Sequence, residues 1–149
     1  MTAPYDREVP TLHHVNLCVP PTLRDGAGDE QPGTDVERRW LEMLGYRRVD
    51  AGPEISAMAQ VHWFEGDDGT QVHLTVDPEH APSTRAHTAI RLDEALDPIV
   101  ARLETAGHRC NTIAFDGDRH VFANDPAGNL WELIGPLGAE STPEADAVS

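Results

Sequence analysis

An internal repeat divides this chain into two halves. The segment His14–Val19 returns in character at residues 87–92, and residues 69–74 return in character at residues 128–133. Each half therefore carries one histidine at the start of an early strand and one metal-ligand type of residue four positions after a turn glycine. The repeat predicts two copies of one folding module, which explains how residues far apart in sequence could converge on one site.

The charge of the chain excludes several classes of function. Its net charge is −15, from 26 acidic and 11 basic residues, and that balance repels nucleic acid and anionic membranes. Every basic residue is arginine, so Schiff-base chemistry and a phosphate-loop lysine are excluded. We expect no membrane span, no signal peptide and no disulfide framework. These features predict a cytoplasmic protein without nucleic-acid or membrane partners.

Hydrophobic periodicity and turn signals predict the same order of elements in both halves, namely a strand, a helix and three strands. Residues 20–33 are predicted to be a long loop, and residues 34–37 form a capping box for the first helix. Residues 55–59 are a weak strand candidate, and the pair at 97–98 predicts the start of the second helix. The predicted organisation is a flexible tail (1–11), a first module (12–77), a linker (78–85), a second module (86–136) and a disordered acidic tail (137–149).

The alternation of strand side chains places the candidate ligands on the polar faces of their strands. In each strand the opposite face is apolar, and we expect it to pack under a helix. The polar faces would then form a concave surface that is open to a ligand. The four polar sets are His14, Asn16 and Cys18; Gln71, His73 and Thr75; His87, Ala89 and Arg91; and Leu130, Glu132 and Ile134. His13 lies on the wrong face to join them.

Three imidazoles and one carboxylate, from His14, His73, His87 and Glu132, form a donor set suited to zinc, nickel, manganese or iron(II). The alternative is that these histidines are ordinary strand residues that make hydrogen bonds. Four ligand types in register across a repeat favour metal binding. Arg91 has two equal interpretations, since it could clamp a substrate carboxylate or phosphate or pair with one of the many acidic residues.

The remaining chemical groups are assigned to the walls and the surface of the protein. Asn16, Cys18 and Thr75 are expected to line the polar cup. Four histidines are expected at the surface or in turns, and three aromatic side chains in the core or the cavity wall. These are His62, His80, His108 and His120 in the first group and Trp63, Trp131 and Phe122 in the second.

These residues resemble the vicinal oxygen chelate superfamily, which includes glyoxalase I, extradiol dioxygenases, fosfomycin-resistance enzymes and bleomycin-binding proteins. The resemblance covers residues 12–136, and its most specific parts are residues 12–15 and 124–133. It implies an α+β fold in which two βαβββ modules form a cupped, eight-stranded half-barrel with helices on the outer face. Family members hold a divalent metal in the cup and commonly pair as homodimers, so both features are implied for this chain.

The resemblance also implies roles for particular residues. In members of the glyoxalase I type, the metal positions fall on His14, His73, His87 and Glu132 here. In extradiol dioxygenases, a three-ligand set falls on His14, His87 and Glu132, and the His73 region corresponds to an acid–base histidine. The tyrosine that those dioxygenases carry on a late strand is Phe122 here. Glyoxalase I usually has glutamate or glutamine at the position of His73, which argues against glutathione-linked activity.

The expected function is that of a metal-dependent isomerase, epimerase or lyase that binds a small-molecule substrate through two adjacent oxygens. Glu132 or His73 could detach from the metal and act as the base. One alternative is an extradiol-type iron(II) dioxygenase. Another is a metal-free antibiotic-binding module, for which the aromatic content of 5% is low. The expected substrate-binding residues are Arg91, Asn16, Cys18, Thr75 and Phe122.

Overall fold

A computed structural model describes residues 10–57 and 61–138 of the chain and shows a mixed α+β fold, which confirms the predicted class. The strands form two four-stranded sheets and one small two-stranded sheet. Most of the predicted N-terminal tail and acidic C-terminal tail lies outside the described residues. None of the helices in the described residues is long and apolar enough to cross a membrane.

Each half contributes a long helix and one four-stranded sheet. The first half contains β1 (His14–Val19), β2 (Thr22–Arg24), β3 (Glu30–Pro32), α1 (Gly33–Met43), β4 (Arg47–Val49), α2 (Pro53–Ser56), β5 (Val61–Glu65) and β6 (Gln71–Val76). The second half contains β7 (His87–Arg91), α3 (Leu96–Thr105), β8 (Asn111–Phe115), β9 (Asp118–Asn124) and β10 (Leu130–Pro136). A 3-10 turn at Asp93–Ala95 precedes α3.

The two four-stranded sheets share one topology, as the sequence repeat predicts. Their strand orders are β1-β6-β5-β4 and β7-β10-β9-β8. In each sheet the first strand lies parallel to the last one, so that Asn16 is the partner of His73 and Ala89 is the partner of Glu132. This pairing places the two candidate ligands of each half on neighbouring strands. The closure of both sheets into one eight-stranded half-barrel stays a prediction.

The two halves share one hydrophobic core. Trp40 of α1 and Trp131 of β10 are both fully buried, and their ring centroids lie 6.4 Å apart. Polar contacts cross the same junction, since Arg102 of α3 donates to the carbonyl of Met43 over 2.9 Å. Burying one large apolar side chain stabilises a fold by about 1.5–3 kcal/mol, so this junction fixes how the halves pack.

The structure corrects the predicted loop at residues 20–33, which contains the antiparallel ribbon of β2 and β3. Asp25 organises the turn of this ribbon, because its Oδ1 accepts the backbone N–H groups of Ala27 and Asp29 over 2.9 and 3.0 Å. A side-chain turn of this type replaces part of the backbone pairing. The weak strand at residues 55–59 is also wrong for the described part, because Pro53–Ser56 forms α2; residues 58 and 59 lie outside the described residues.

The predicted helix caps are wrong in detail. Helix α1 begins at Gly33, where an added Cβ would lie 2.0 Å from the carbonyl oxygen of Pro20. Its N-cap has no side-chain hydrogen bond, so the predicted capping box is not formed. Glu37 of that box is instead fully buried. Helix α3 begins at Leu96, one residue before the predicted cap, again without a side-chain cap.

Candidate metal centre

His87 and Glu132 form a close pair on the polar face of the second sheet. The Nε2 atom of His87 lies 3.0 Å from Oε2 of Glu132. On the other side of the ring, Nδ1 of His87 lies 2.9 Å from the carbonyl oxygen of Arg85. Because a carbonyl oxygen can only accept, Nδ1 carries the proton, and Nε2 is the nitrogen that faces the carboxylate.

The two facing atoms of this pair need a proton or a metal cation between them. With the proton on Nδ1, a neutral His87 presents a lone pair at Nε2, and Glu132 also presents a lone pair. A second proton on the ring or a metal cation would remove the conflict. Two ligands that each lie about 2.1 Å from one ion at a right angle are about 3.0 Å apart, which matches the observed separation. A backbone acceptor on the far ring nitrogen is also usual for a metal-binding histidine. The pair therefore fits a divalent metal.

His14 and His73 form the corresponding pair on the first sheet. Their rings are stacked, with 4.1 Å between centroids and 13° between planes. His73 is 7% exposed, and its Nε2 lies 2.8 Å from Oε1 of Gln71. Since that amide oxygen accepts, Nδ1 of His73 keeps the lone pair. Burial lowers the pKa of His73, and the imidazoles of His14 and His13 add to the effect. The neutral ring suits a ligand or a base.

Two residues of the site have roles that the sequence did not suggest. His120 was expected at the surface or in a turn, but it is 7% exposed, and its Nδ1 lies 2.6 Å from Oε1 of Glu132. Trp63 stacks on His73, with 4.4 Å between centroids and 5° between planes. The signal was present in the strand alternation, because β9 pairs with β10 and places His120 and Phe122 on the face of Glu132.

The other predicted site residues lie on the same two faces. Thr75 donates its hydroxyl to Oδ1 of Asn16 over 2.8 Å, and the amide NH2 group of Asn16 has no partner among the described residues, so it could bind a substrate oxygen. Cys18 is half-buried on the next position of the same strand face. In the second sheet, Phe122 lies opposite Glu132 and presents its ring at 6.1 Å from the ring of His87.

Arg91 pairs with acidic residues in this structure. Its guanidinium lies 2.8 Å from Oδ2 of Asp118 and 3.4 Å from Oδ1 of Asp93. The geometry favours the second of the two interpretations of Arg91. Exposed ion pairs of this type contribute about 0–1 kcal/mol, so they orient the side chain without holding it firmly.

One chain presents these ligands as two separate pairs. Within residues 10–57 and 61–138, no three His, Cys, Asp or Glu side chains are placed so that they could hold a metal ion together. His14 and His73 belong to the first sheet, whereas His87 and Glu132 belong to the second. Each pair supplies half of the predicted donor set.

Solved structures that share this fold include a glyoxalase family protein, a glyoxalase/dioxygenase and a fosfomycin resistance protein. A structure described as a glyoxalase family protein from Bacillus anthracis is 21% identical, with a TM-score of 0.68 over 88% of this chain and 98% of the other. A glyoxalase/dioxygenase from Nostoc punctiforme is 23% identical, with a TM-score of 0.64 over 93% and 97%. A mutant of the fosfomycin resistance protein FosX from Listeria monocytogenes, in complex with Mn(II) and 1S,2S-dihydroxypropylphosphonic acid, is 15% identical, with a TM-score of 0.61 over 84% and 89%. No protein-family model and no curated protein sequence matches the chain.

Proposed function

We propose that this protein is a metal-dependent enzyme of the vicinal oxygen chelate type, which binds a small substrate through two adjacent oxygens on a divalent metal. Isomerase, epimerase or lyase chemistry is the favoured reaction class. The observation that carries the proposal is the 3.0 Å approach of His87 Nε2 to Glu132 Oε2, while Nδ1 of the same ring contacts the carbonyl oxygen of Arg85. The Mn(II) complex of a protein with the same fold supports it.

The two ligand pairs would be joined by a second copy of the chain. Both pairs lie on the sheet faces opposite the residues of the shared core, and β8, the edge strand of the second sheet, is exposed along its whole length. Ile113 and Phe115 of β8 are 54% and 55% exposed, and a partner would cover this apolar surface. In a twofold dimer, His14 and His73 of each copy would face His87 and Glu132 of the other, which gives two equal sites.

The side chains of the cup would have different roles in binding and in proton transfer. His14, His73, His87 and Glu132 would hold the cation, and Asn16 would orient a substrate oxygen with the amide NH2 group that Thr75 does not contact. When bound, the cation would supply Lewis-acid stabilisation of an oxyanion that develops on the substrate. His73 is neutral because burial lowers its pKa, so its Nδ1 could serve either as a ligand of the cation or as the base that accepts a proton from the substrate. Phe122 would form an apolar wall beside the substrate.

A second candidate is an extradiol-type iron(II) dioxygenase. His73 has its Nε2 held by Gln71 over 2.8 Å, and this contact would fix the ring of an acid–base residue that does not bind the metal. His14, His87 and Glu132 would then form the two-histidine, one-carboxylate set that leaves coordination positions for a catecholate and for oxygen. The same fold occurs in a glyoxalase/dioxygenase from Nostoc punctiforme.

Metal content distinguishes these candidates. The protein is purified anaerobically beside His87→Ala and His62→Ala, the latter a half-buried histidine of the first sheet that lies opposite Leu74 and faces away from His73. We expect about one equivalent of divalent metal per chain, lost in His87→Ala and kept in His62→Ala. Iron(II) would favour the dioxygenase, whereas zinc, nickel or manganese would favour the isomerase or lyase. Absence of metal after incubation with each of these ions would refute the proposal and favour a metal-free binding module.

A further inference from the structure

We propose that His120 is a positioning residue for Glu132: it holds Oε1 of the carboxylate so that Oε2 is the atom offered to the metal. The inference rests on the proposed metal site and adds a residue to it that the repeat does not predict. His120 lies on β9, opposite Ile134 of β10 and two residues from Phe122. In the first sheet, the residue at the corresponding place opposite β6 is Val61, so this histidine belongs to the second half alone.

The contacts of Glu132 divide its two oxygens between two imidazoles. Oε1 lies 2.6 Å from Nδ1 of His120, and Oε2 lies 3.0 Å from Nε2 of His87. The shorter contact is a hydrogen bond in which Nδ1–H of His120 donates to the carboxylate oxygen. The longer contact, between Glu132 and His87, is the one that a bound cation would replace. A carboxylate fixed at one oxygen has lost most of its rotational freedom, so the other oxygen binds a metal at a smaller entropic cost.

The surroundings of His120 keep its ring in place. The ring of Phe115 stacks on it, with 4.0 Å between centroids and 23° between planes. His120 is 7% exposed, and its Nε2 is buried without a hydrogen-bond partner among the described residues. A buried nitrogen without a partner costs free energy, so packing and the contact with Glu132 must offset that cost. Side chains held by such packing and by one short hydrogen bond orient metal ligands in many sites.

Cobalt(II) titration tests this role, because the visible absorption of bound cobalt reports on the number and geometry of its ligands. Four proteins are compared: the full chain, His120→Asn, His120→Gln and the control His62→Leu. The amide NH2 group of Asn can stand where Nδ1 of His120 stood, whereas that of Gln reaches the place of Nε2. We expect about a 10- to 100-fold loss of cobalt affinity and an altered spectrum in His120→Gln. His120→Asn should stay within a few-fold of the full chain.

The outcomes separate this inference from the proposed function. If the unaltered chain binds no cobalt(II), the proposed metal site fails and the inference fails with it. If the chain binds cobalt(II) and both His120 variants bind it equally well with the same spectrum, the metal site stands and the positioning role is overturned. Equal losses of cobalt(II) affinity in both variants also overturn it, since a hydrogen-bond donor at the position of Nδ1 would then not restore binding. Melting temperatures of the metal-free proteins identify a loss that comes from unfolding.

Discussion

A buried pair of carboxyl groups makes the stability of this protein depend on pH in a direction that can be calculated. Glu37 of α1 is fully buried, and Asp125 in the turn before β10 is 4% exposed. Oε2 of Glu37 accepts the backbone N–H of Ala127 over 3.3 Å, while no donor among the described residues reaches Oε1. Asp125 is satisfied at both oxygens, by the N–H groups of Asn129 and Trp131. Glu37 is therefore the group of this pair that holds a proton.

The sign of the pH dependence follows from this proton. Burial, together with the charge of Asp125 and a hydrogen bond to it, raises the pKa of Glu37 well above its ordinary range. In the unfolded chain the pKa of the same carboxyl group is about 4.3. Between these two values the folded state holds one more proton than the unfolded state. The free energy of unfolding therefore falls as pH rises, by up to about 1.4 kcal/mol per pH unit.

The substitution Glu37→Gln should remove this slope. Glutamine is neutral at every pH, and its amide can donate to Asp125 and accept from Ala127, so the contacts of the protonated acid are kept. For a domain of about 150 residues, a change of 1 kcal/mol shifts the melting temperature by about 2–4 °C. We expect the melting temperature of Glu37→Gln to rise relative to that of the unaltered chain by about 3–6 °C for each pH unit between the unfolded-state and folded-state pKa values of Glu37.

The measurement is thermal and urea unfolding, followed by circular dichroism, at intervals between about pH 5 and pH 8.5. Glu42→Gln is the matched control, because Glu42 lies on the same helix, is exposed and, among the described residues, forms an ion pair with Arg38 alone, over 4.0 Å. It removes the charge of an exposed carboxylate from a chain of net charge −15, so it shows how much of any change in the pH profile comes from general charge repulsion. His108 has its pKa lowered by burial and is unchanged in all three proteins. If the free energy of unfolding depends on pH in the same way in the unaltered chain and in Glu37→Gln, the proton assigned to Glu37 in the folded state is refuted.

Two further predictions concern packing and assembly. Gly33→Ala should destabilise the fold by about 1–3 kcal/mol in urea unfolding, because its Cβ would meet the carbonyl oxygen of Pro20 at 2.0 Å; Gly26→Ala, with open space around it, should change stability far less, and equal effects would contradict this reading. Ile113→Asp, placed on the exposed strand β8, should shift the protein towards monomer in analytical ultracentrifugation, while an unchanged mass would show that β8 lies outside any interface.

The internal repeat made the sheets predictable. A strand pairs with its neighbour in a fixed alternation, so the polar positions of β1, β6, β7 and β10 could be read from the sequence. The structure places His14 with His73 and His87 with Glu132 accordingly. The face on which a strand residue lies can be predicted from the sequence of that strand alone, without knowledge of its neighbours.

Contacts between distant segments account for the errors. The predicted capping box was wrong because Glu37 is buried next to Asp125 instead. Asp125 lies almost ninety residues away, so the sequence near α1 does not reveal this contact. The predicted loop contained β2 and β3 because Asp25 closes a turn of its own. His120 was misplaced for a related reason, since its burial depends on Phe115 and Glu132 on two other strands. Tertiary partners decided each of these positions.

Complementation between two variants tests the central claim, that the donor set is assembled from two copies of the chain. His14→Ala and His87→Ala are produced together with different affinity tags, and the mixed dimer is isolated and titrated with manganese(II). If the site is shared, each variant alone binds weakly, whereas the mixed dimer has one intact site and one site without either histidine, and so binds about half as much metal per chain as the unaltered dimer. A mixed dimer that binds no better than the separate variants, or a protein that is monomeric and still binds metal, would show that the donor set is not shared between two copies.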